Sequence, residues 1–447
     1  MSAIPLDAPE LPIAEPQGGS GGSGCGTPAH GRKVWRFRLA IPFLLTLPHF
    51  AVPLLQWYPA PLASALVALE VALLAVVGTR LATRTGVRWF GLSSRAALFW
   101  LYCVLSAIYG FLSLHMSGQG VLPLTGGPIT YVSVAAARVI QLSLALLAFE
   151  FIRRTSHRRR SLLAAWLAGL VLAVGMHGLS LLVSSDPLLA RAGTFTEGNQ
   201  AGLYYLISMF VALEYWRVAP GRVAFGLIAL SVLGLLLSRS SAGLIVLALS
   251  LCARAVLGAK GLKQRFARFT MVACILAAVV TAMLNTSLGT DLTEKLFEEE
   301  VTPNSFSRID RIISAQIGVD LFLRSPIVGH GLQSYGFLSN DYIDGPLADV
   351  YDWSYRRIPN NIYVEVASEL GLVGLTLFFL ILVGMWRTLK KNGMDPVWNF
   401  RSGLLAILVY WLAFPTYSIV FVWAFLGLAT HSATALPARR VASKVTS

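Results

Sequence analysis

A chain of 447 residues, 55% of them hydrophobic and only 13% charged, lies outside the composition of ordinary soluble domains. Its net charge of +14 would suit a nucleic-acid binder, but the lysines and arginines cluster in short connections between long apolar runs, which is how membrane proteins encode topology. That distribution leaves no basic, aromatic-laced soluble face for nucleic acid, and four scattered cysteines (Cys25, Cys103, Cys252 and Cys274) without metal-ligand spacing exclude a disulfide framework and a zinc site.

Residues 1–30 are rich in Pro, Gly and Ser, lack apolar periodicity and are predicted to be a disordered cytoplasmic tail. The first basic cluster, Arg32, Lys33, Arg36 and Arg38, precedes a full-length span, so no cleavable signal is predicted. Apolar runs then recur at the length needed to cross about 30 Å of hydrocarbon. Within 31–288 they place spans at 39–57, 62–79, 96–114, 131–152, 161–184, 200–216, 223–238, 241–257 and 269–288, with 223–257 read as a tight hairpin. A polar region, 289–361, follows. Further spans at 362–386, 402–416 and 418–436 fill 362–436, and 437–447 is a second cytoplasmic tail. The predicted fold is all-α, a polytopic transmembrane bundle of about twelve helices with a long periplasmic loop subdomain between the ninth and tenth. On this layout 26 of the 36 lysines and arginines fall on the side of the N-terminus and 8 on the other, with Arg138 and Arg254 inside spans. The imbalance puts both termini in the cytoplasm and 289–361 outside.

Within the loop, Ser307 to Arg324 reads as one amphipathic helix. Ser307 and Asp310 have capping-box spacing, Ile309, Ile312, Ile313, Ile317 and Leu321 recur at helical intervals, and Pro326 ends the run. Such a helix would be about 25 Å long. The turn-rich segment Ser325-Pro326-Ile327-Val328-Gly329-His330-Gly331 comes next, and a polar stretch over 340–361 closes the region. Loops of this length are usually functional or disordered, and the capped helix favours order.

The eight outward basic residues are the informative ones, because the positive-inside bias acts against them. Arg191 precedes the sixth span, Arg239 sits at the tip of the hairpin joining the seventh and eighth, and Arg308 and Arg311 lie three apart on one helix face. Guanidinium forks grip phosphate oxygens bidentately. Gathered at the outer lip of a helical bundle, they suit a lipid-linked diphosphate. Taken singly, each arginine is as well explained by snorkelling to headgroups or by a nearby carboxylate. Histidine is a residue type suited to general-base chemistry, which makes His330 a candidate, although it also reads as a surface turn residue. Asp310, Asp341, Asp344, Asp349, Asp352 and Glu365 are alternatives, and Glu298-Glu299-Glu300 is a solvated run. Arg138 and Gln141 in the fourth span mark either a polar cavity or a helix-to-helix contact. Glu365 and Glu369, opening the tenth span, are predicted to pair with Arg356 or Arg357.

Several pieces, in chain order, resemble the O-antigen ligase and Wzy-type polymerase superfamily of bacterial integral-membrane glycosyltransferases. They are Arg191…Gly193-Thr194-Phe195…Asn199, Ser238-Arg239, Ser307-Arg308 with Ala315, Pro326…Gly329-His330-Gly331…Tyr335-Gly336, and Asn360-Asn361…Tyr363…Glu365…Glu369-Leu370-Gly371. Together they cover about the second half of the chain. The resemblance implies an inner-membrane enzyme whose site faces the periplasm and moves a glycan from undecaprenyl diphosphate to a hydroxyl of an acceptor glycan or glycolipid, with no metal, nucleotide sugar or other cofactor. It implies that Arg191, Arg239 and Arg308 hold the diphosphate and stabilise the leaving group. His330 and Asn360 then stand as further catalytic candidates, with Arg311, Asn199, Asn361 and Tyr363 as substrate-binding ones. Ligases of the family typically carry His-Asn where this chain has Asn360-Asn361, and Asn360 can hydrogen-bond a sugar hydroxyl but cannot take its proton. The resemblance therefore points first to a polymerase and second to a ligase acting on lipid A-core or a protein acceptor. A transporter of a solute or lipid-linked sugar is the alternative of another class. It would gather polar groups at the bilayer midplane, whereas these arginines lie at the outer edge.

Overall fold

The computed structural model describes residues 94–124, 127–155, 159–183, 187–193, 195, 197–257, 261–264, 266–271, 273–274, 306–342, 357–391, 398–414 and 418–431. The predicted tails, the spans at 39–57 and 62–79 and most of the span at 269–288 lie outside these residues, as do Asp344, Asp349, Asp352 and Arg356.

Helix α1 (Ser94–Met116) leads into antiparallel strands β1 (Val121–Leu124) and β2 (Gly127–Thr130). Then come α2 (Tyr131–Thr155), α3 (Arg159–Val183), the short α4 (Pro187–Ala192), α5 (Gly198–Val218), α6 (Arg222–Leu237) and α7 (Ser241–Leu257). Further on lie α8 (Phe306–Arg324), α9 (Tyr335–Leu338) with a 3-10 turn over Ser339–Tyr342, α10 (Ile362–Lys391), α11 (Trp398–Tyr410) and α12 (Val420–His431). Helices α1, α2, α3 and α10 contain stretches long and apolar enough to cross a membrane, and α6, α7 and α12 are shorter apolar helices. Each coincides with a span predicted from hydropathy. Helix α11 ends at Tyr410, short of the predicted 416, and α8 begins at Phe306, so Ser307 lies inside its first turn instead of capping it. The hairpin pairs Val121 with Thr130 and Leu124 with Gly127. Hydropathy leaves that stretch a plain connection; Gly126-Gly127 between two short runs is the signal that marks it.

Helix α5 is the pivot. It packs against α3, α4, α6, α7, α11 and α12, and it is buried along most of its length. Burial all round accounts for a helix with no single apolar stripe. One end is tied by Glu214, which pairs with Arg217 at 2.7 Å and accepts a hydrogen bond from Asn399 of α11 at 3.2 Å. The other end, Gly198-Asn199, opens onto the candidate site. Beside it, α12 lies along α2, with Gly427 against the Phe149 backbone and Trp423 edge-on to the Phe149 ring at 5.9 Å.

Helix α10 breaks at Gly371, which takes φ +64° and ψ −166°. The turn over 326–331 fills the break. The N–H groups of Leu372 and Val373 donate to the carbonyls of Pro326 (2.8 Å) and Ile327 (3.2 Å), while those of His330 and Gly331 donate to Ser368 (3.2 Å) and Glu369 (2.9 Å). Backbone groups released by the broken helix are thereby paired. Gly331, at φ +110°, meets the backbone of Gly110 on α1, where any side chain would collide.

A buried polar knot ties this turn to the bundle. Arg138 of α2 pairs with Glu365 at 3.4 Å and donates to the Ser418 hydroxyl at 2.6 Å, and Ser418 donates to Gln141 at 3.3 Å. Gln333 donates its side-chain amide to Glu365 (3.3 Å) and its N–H to Glu369 (2.8 Å). Arg138 and Gln141 thus make a helix-to-helix contact. A guanidinium beside Glu365 is that of Arg138, because the first turns of α10 face α2. Arg357 precedes the helix and acts on Asp310, and the other predicted partner, Arg356, lies outside the described residues.

Candidate active site

Helix α4 delivers Arg191 near its C-terminal end, and the loop after it is pinned by Phe195. That ring is buried against Tyr204, Tyr205 and Phe421, with centroids 5.1, 6.0 and 6.2 Å away. Plugged in this way, the loop lays the Arg191 side chain across Gly198. A Cβ on Gly198 would sit 2.7 Å from Arg191 Nε and 2.9 Å from the Ser238 carbonyl oxygen. The missing side chain lets the guanidinium arm and the α6–α7 turn meet over the start of α5.

That turn carries Arg239, which is exposed and held at φ +48°. A left-handed conformation costs a non-glycine residue about 1–2 kcal/mol and persists only where neighbours impose it. Here Ser240 imposes it. Its hydroxyl bonds the Tyr410 hydroxyl at 2.8 Å, reaches Asn199 Oδ1 at 3.3 Å and accepts from the Gly243 N–H at 3.2 Å. The Tyr410 hydroxyl in turn donates to the Asn199 carbonyl at 2.7 Å. Asn199, Ser240 and Tyr410 therefore lock α5, the α6–α7 turn and α11 together under Arg239.

The third contribution comes from α8. Asp310 accepts the Asn360 side-chain amide on Oδ2 at 2.7 Å and the Ser314 hydroxyl on Oδ1 at 3.4 Å. This bond anchors the first turns of α8 to the segment before α10 and presents half-buried Arg311 to the group. The Tyr335 hydroxyl, donating to the Ser314 carbonyl at 2.9 Å, braces the same helix from the turn side.

The charges on these pieces act on one another. Burial lowers the pKa of Arg191; Glu197 opposes that shift, and Arg311 and Arg239 add to it. Glu197 is raised above the usual carboxylate range by burial, with Arg191 and Arg311 drawing it back. Asp310 is also raised by burial, and Asn360, Arg357, Ser314 and Arg311 oppose this. Glu197 keeps contact with solvent although protein atoms surround it. Among the described residues, Arg191 feels Glu197, Arg311 and Arg239, and Glu197 feels Arg191 and Arg311, while Asp310 is engaged with Asn360, Ser314 and Arg357.

Of the predicted site residues, Arg191, Arg239, Arg311, Asn199 and Asn360 come together, and Arg308 lies one turn before Arg311 on α8. Asn361 and Tyr363 serve the scaffold. Asn361 Oδ1 caps α10 by accepting the N–H groups of Tyr363 (2.9 Å) and Val364 (3.3 Å). The Tyr363 hydroxyl donates to the Leu408 carbonyl at 2.9 Å, and its ring stacks on Phe379 at 5.8 Å. His330 is not brought to the group. Its Nε2 donates to the Leu321 carbonyl at 2.9 Å, and Leu321 lies ten residues along α8 from Arg311, about 15 Å of helix axis. Sequence reasoning passes over Glu197, Ser240 and Tyr410. Only Glu197 carries a signal, as the one carboxylate in the Arg191–Asn199 segment.

A search of curated proteins finds no match. A family model does match, over a region that opens in α6 and closes in α10, taking in Arg239, Arg308, Arg311 and Asn360 but not Arg191 or Glu197. Residues 226–379, about a third of the chain, are similar to the family whose model is described as O-antigen ligase.

Proposed function

We propose that the protein is a membrane glycosyltransferase of O-antigen-type polysaccharide assembly, moving a glycan from undecaprenyl diphosphate to a hydroxyl of an acceptor sugar. The observation that carries this reading is the meeting of Arg191, Arg239 and Arg311, from three separate parts of the chain, beside the N-terminus of α5. Three guanidinium groups less the Glu197 carboxylate leave a charge of +2, which matches the two anionic oxygens of a diphosphate diester. The α5 N-terminus adds a partial positive charge of its own.

The arrangement favours the transition state over the bound donor. As the bond from the anomeric carbon to the diphosphate breaks, the leaving group gains negative charge, and guanidiniums already in place stabilise that charge more than the ground state. They fill the role that divalent cations fill at other diphosphate sites, so neither a metal nor a nucleotide sugar is invoked. The donor's lipid tail lies against the apolar helices. In this reading the chain spans the inner membrane about twelve times, with both termini cytoplasmic and the arginine group periplasmic.

Within the class, the reading is a Wzy-type polymerase, which passes the growing chain to the next lipid-linked repeat. It is supported by Asn360, whose amide is spent on Asp310 and which has no proton-accepting nitrogen. The description of the matched family favours the second reading, a ligase that hands finished glycan to lipid A-core or a protein. A transporter is poorly supported, since the buried Arg138–Glu365 pair is used in tying helices together.

Deleting the gene and running the surface polysaccharide on a gel tests the reading. Single repeats on the acceptor are expected for a polymerase. An acceptor without repeats, with lipid-linked chains accumulating, indicates a ligase, and an unchanged profile overturns both.

A further inference from the structure

Glu197 stands at the N-cap position of α5, a place where carboxylates ordinarily bond the first free N–H groups of the helix. Its side chain makes no such bond, although its backbone is extended (φ −154°, ψ 160°) as a cap requires. Among the described residues it has no ion-pair partner within bonding distance. It keeps contact with solvent, the charges of Arg191 of α4 and Arg311 of α8 act on it, and Arg239 acts on Arg191. Asp310, the other carboxylate here, has both oxygens occupied by Asn360 and Ser314. His330 is held at the far end of α8.

We propose that Glu197 is the general base that accepts the proton of the acceptor hydroxyl. This rests on the diphosphate reading given above. The acceptor O–H bond breaks and its proton passes to a Glu197 carboxylate oxygen. The freed oxygen forms a bond to the anomeric carbon of the donor glycan. The bond from that carbon to the diphosphate oxygen breaks, and the diphosphate leaves with the electron pair onto Arg191, Arg239 and Arg311. Water then takes the proton from Glu197, which keeps contact with solvent. A carboxyl raised by burial is the better proton acceptor, and Arg191 and Arg311 oppose that rise. The geometry also explains why the base sits on the arginine loop: the attacking and leaving oxygens flank one carbon, so their partners must be neighbours.

The test uses the full-length protein in native membranes for glycan product, and the same protein in detergent with inorganic pyrophosphate as the binding probe. Glu197→Gln keeps the shape of the side chain and removes the base. It should bind pyrophosphate at least as tightly as the parent, since a negative charge is gone, while product falls about a hundredfold or more. Glu197→Asp, which restores a carboxylate, should recover part of the product. Product from Glu197→Gln within tenfold of the parent overturns the base and leaves the diphosphate cradle standing. Loss of pyrophosphate binding together with product makes Glu197 a structural part of the cradle and likewise overturns it. Failure of the parent to bind pyrophosphate, or normal binding by Arg191→Ala, sinks the diphosphate reading itself.

Discussion

Gly198→Ala places one methyl group where the arginine arm and the hairpin turn meet. The new Cβ would lie 2.7 Å from Arg191 Nε and 2.9 Å from the Ser238 carbonyl oxygen, against ordinary contacts of about 3.5 Å. Relief requires shifts of about 0.6–0.8 Å, shared between Arg191 and a turn that Ser240 and Tyr410 hold rigid. Arg191 is crossed near its middle and must swing its whole guanidinium. A misplacement of about 1 Å costs about a hundredfold in a preorganised site, so glycan product should fall about ten- to a hundredfold. Helix propensity works the other way, favouring alanine over glycine by about 1 kcal/mol, so the protein should still reach the membrane in normal amount. The assay is the chain-length ladder of the surface glycan, read beside an immunoblot of membranes. Gly175→Ala on α3 is the control, because a Cβ there meets nothing within 4 Å, and it should leave the ladder unchanged. A Gly198→Ala ladder equal to the parent's at equal protein level would refute the convergence of Arg191 and the turn over Gly198.

Arg191→Ala and Arg239→Ala should each abolish long-chain glycan without preventing membrane insertion; normal ladders in both would remove the diphosphate cradle. His330→Ala should keep product within tenfold of the parent at neutral pH, because the ring is bonded to Leu321 and remote from Arg311; complete loss at normal protein level would return His330 to the chemistry. Arg138→Met strands a buried Glu365 carboxylate and should cost about 3–5 kcal/mol of stability. Adding Glu365→Leu to Arg138→Met should restore most of that loss in a detergent melting experiment. Strict additivity of the two changes would show that the pair does not interact.

The membrane character of the chain and most of its helix positions were legible in the residues because hydrophobic length is a local property. A run such as 131–152 must bury its own backbone hydrogen bonds in hydrocarbon, whatever its neighbours do. The Arg191 and Arg239 segments stood out for a similarly local reason, since basic residues outside are selected against. The span at 200–216 was legible too, but its place among α3, α4, α6, α7, α11 and α12 was not, because being surrounded is not a property of one segment.

The rest depended on which segments the fold brings together. That the Asn360 amide bonds Asp310 could not be read from the residue alone. Nor could the pairing of Glu365 with Arg138, which α2 brings to it. His330 is bonded to the Leu321 carbonyl, and Glu197 is acted on by Arg191 and Arg311, neither of which could be read from the residues. Residue types determine which interactions are available, and they do so one side chain at a time. Charges and hydrogen bonds act over a few ångströms, so the choice among those interactions belongs to contacts between segments as far apart in the chain as Asn199 and Tyr410.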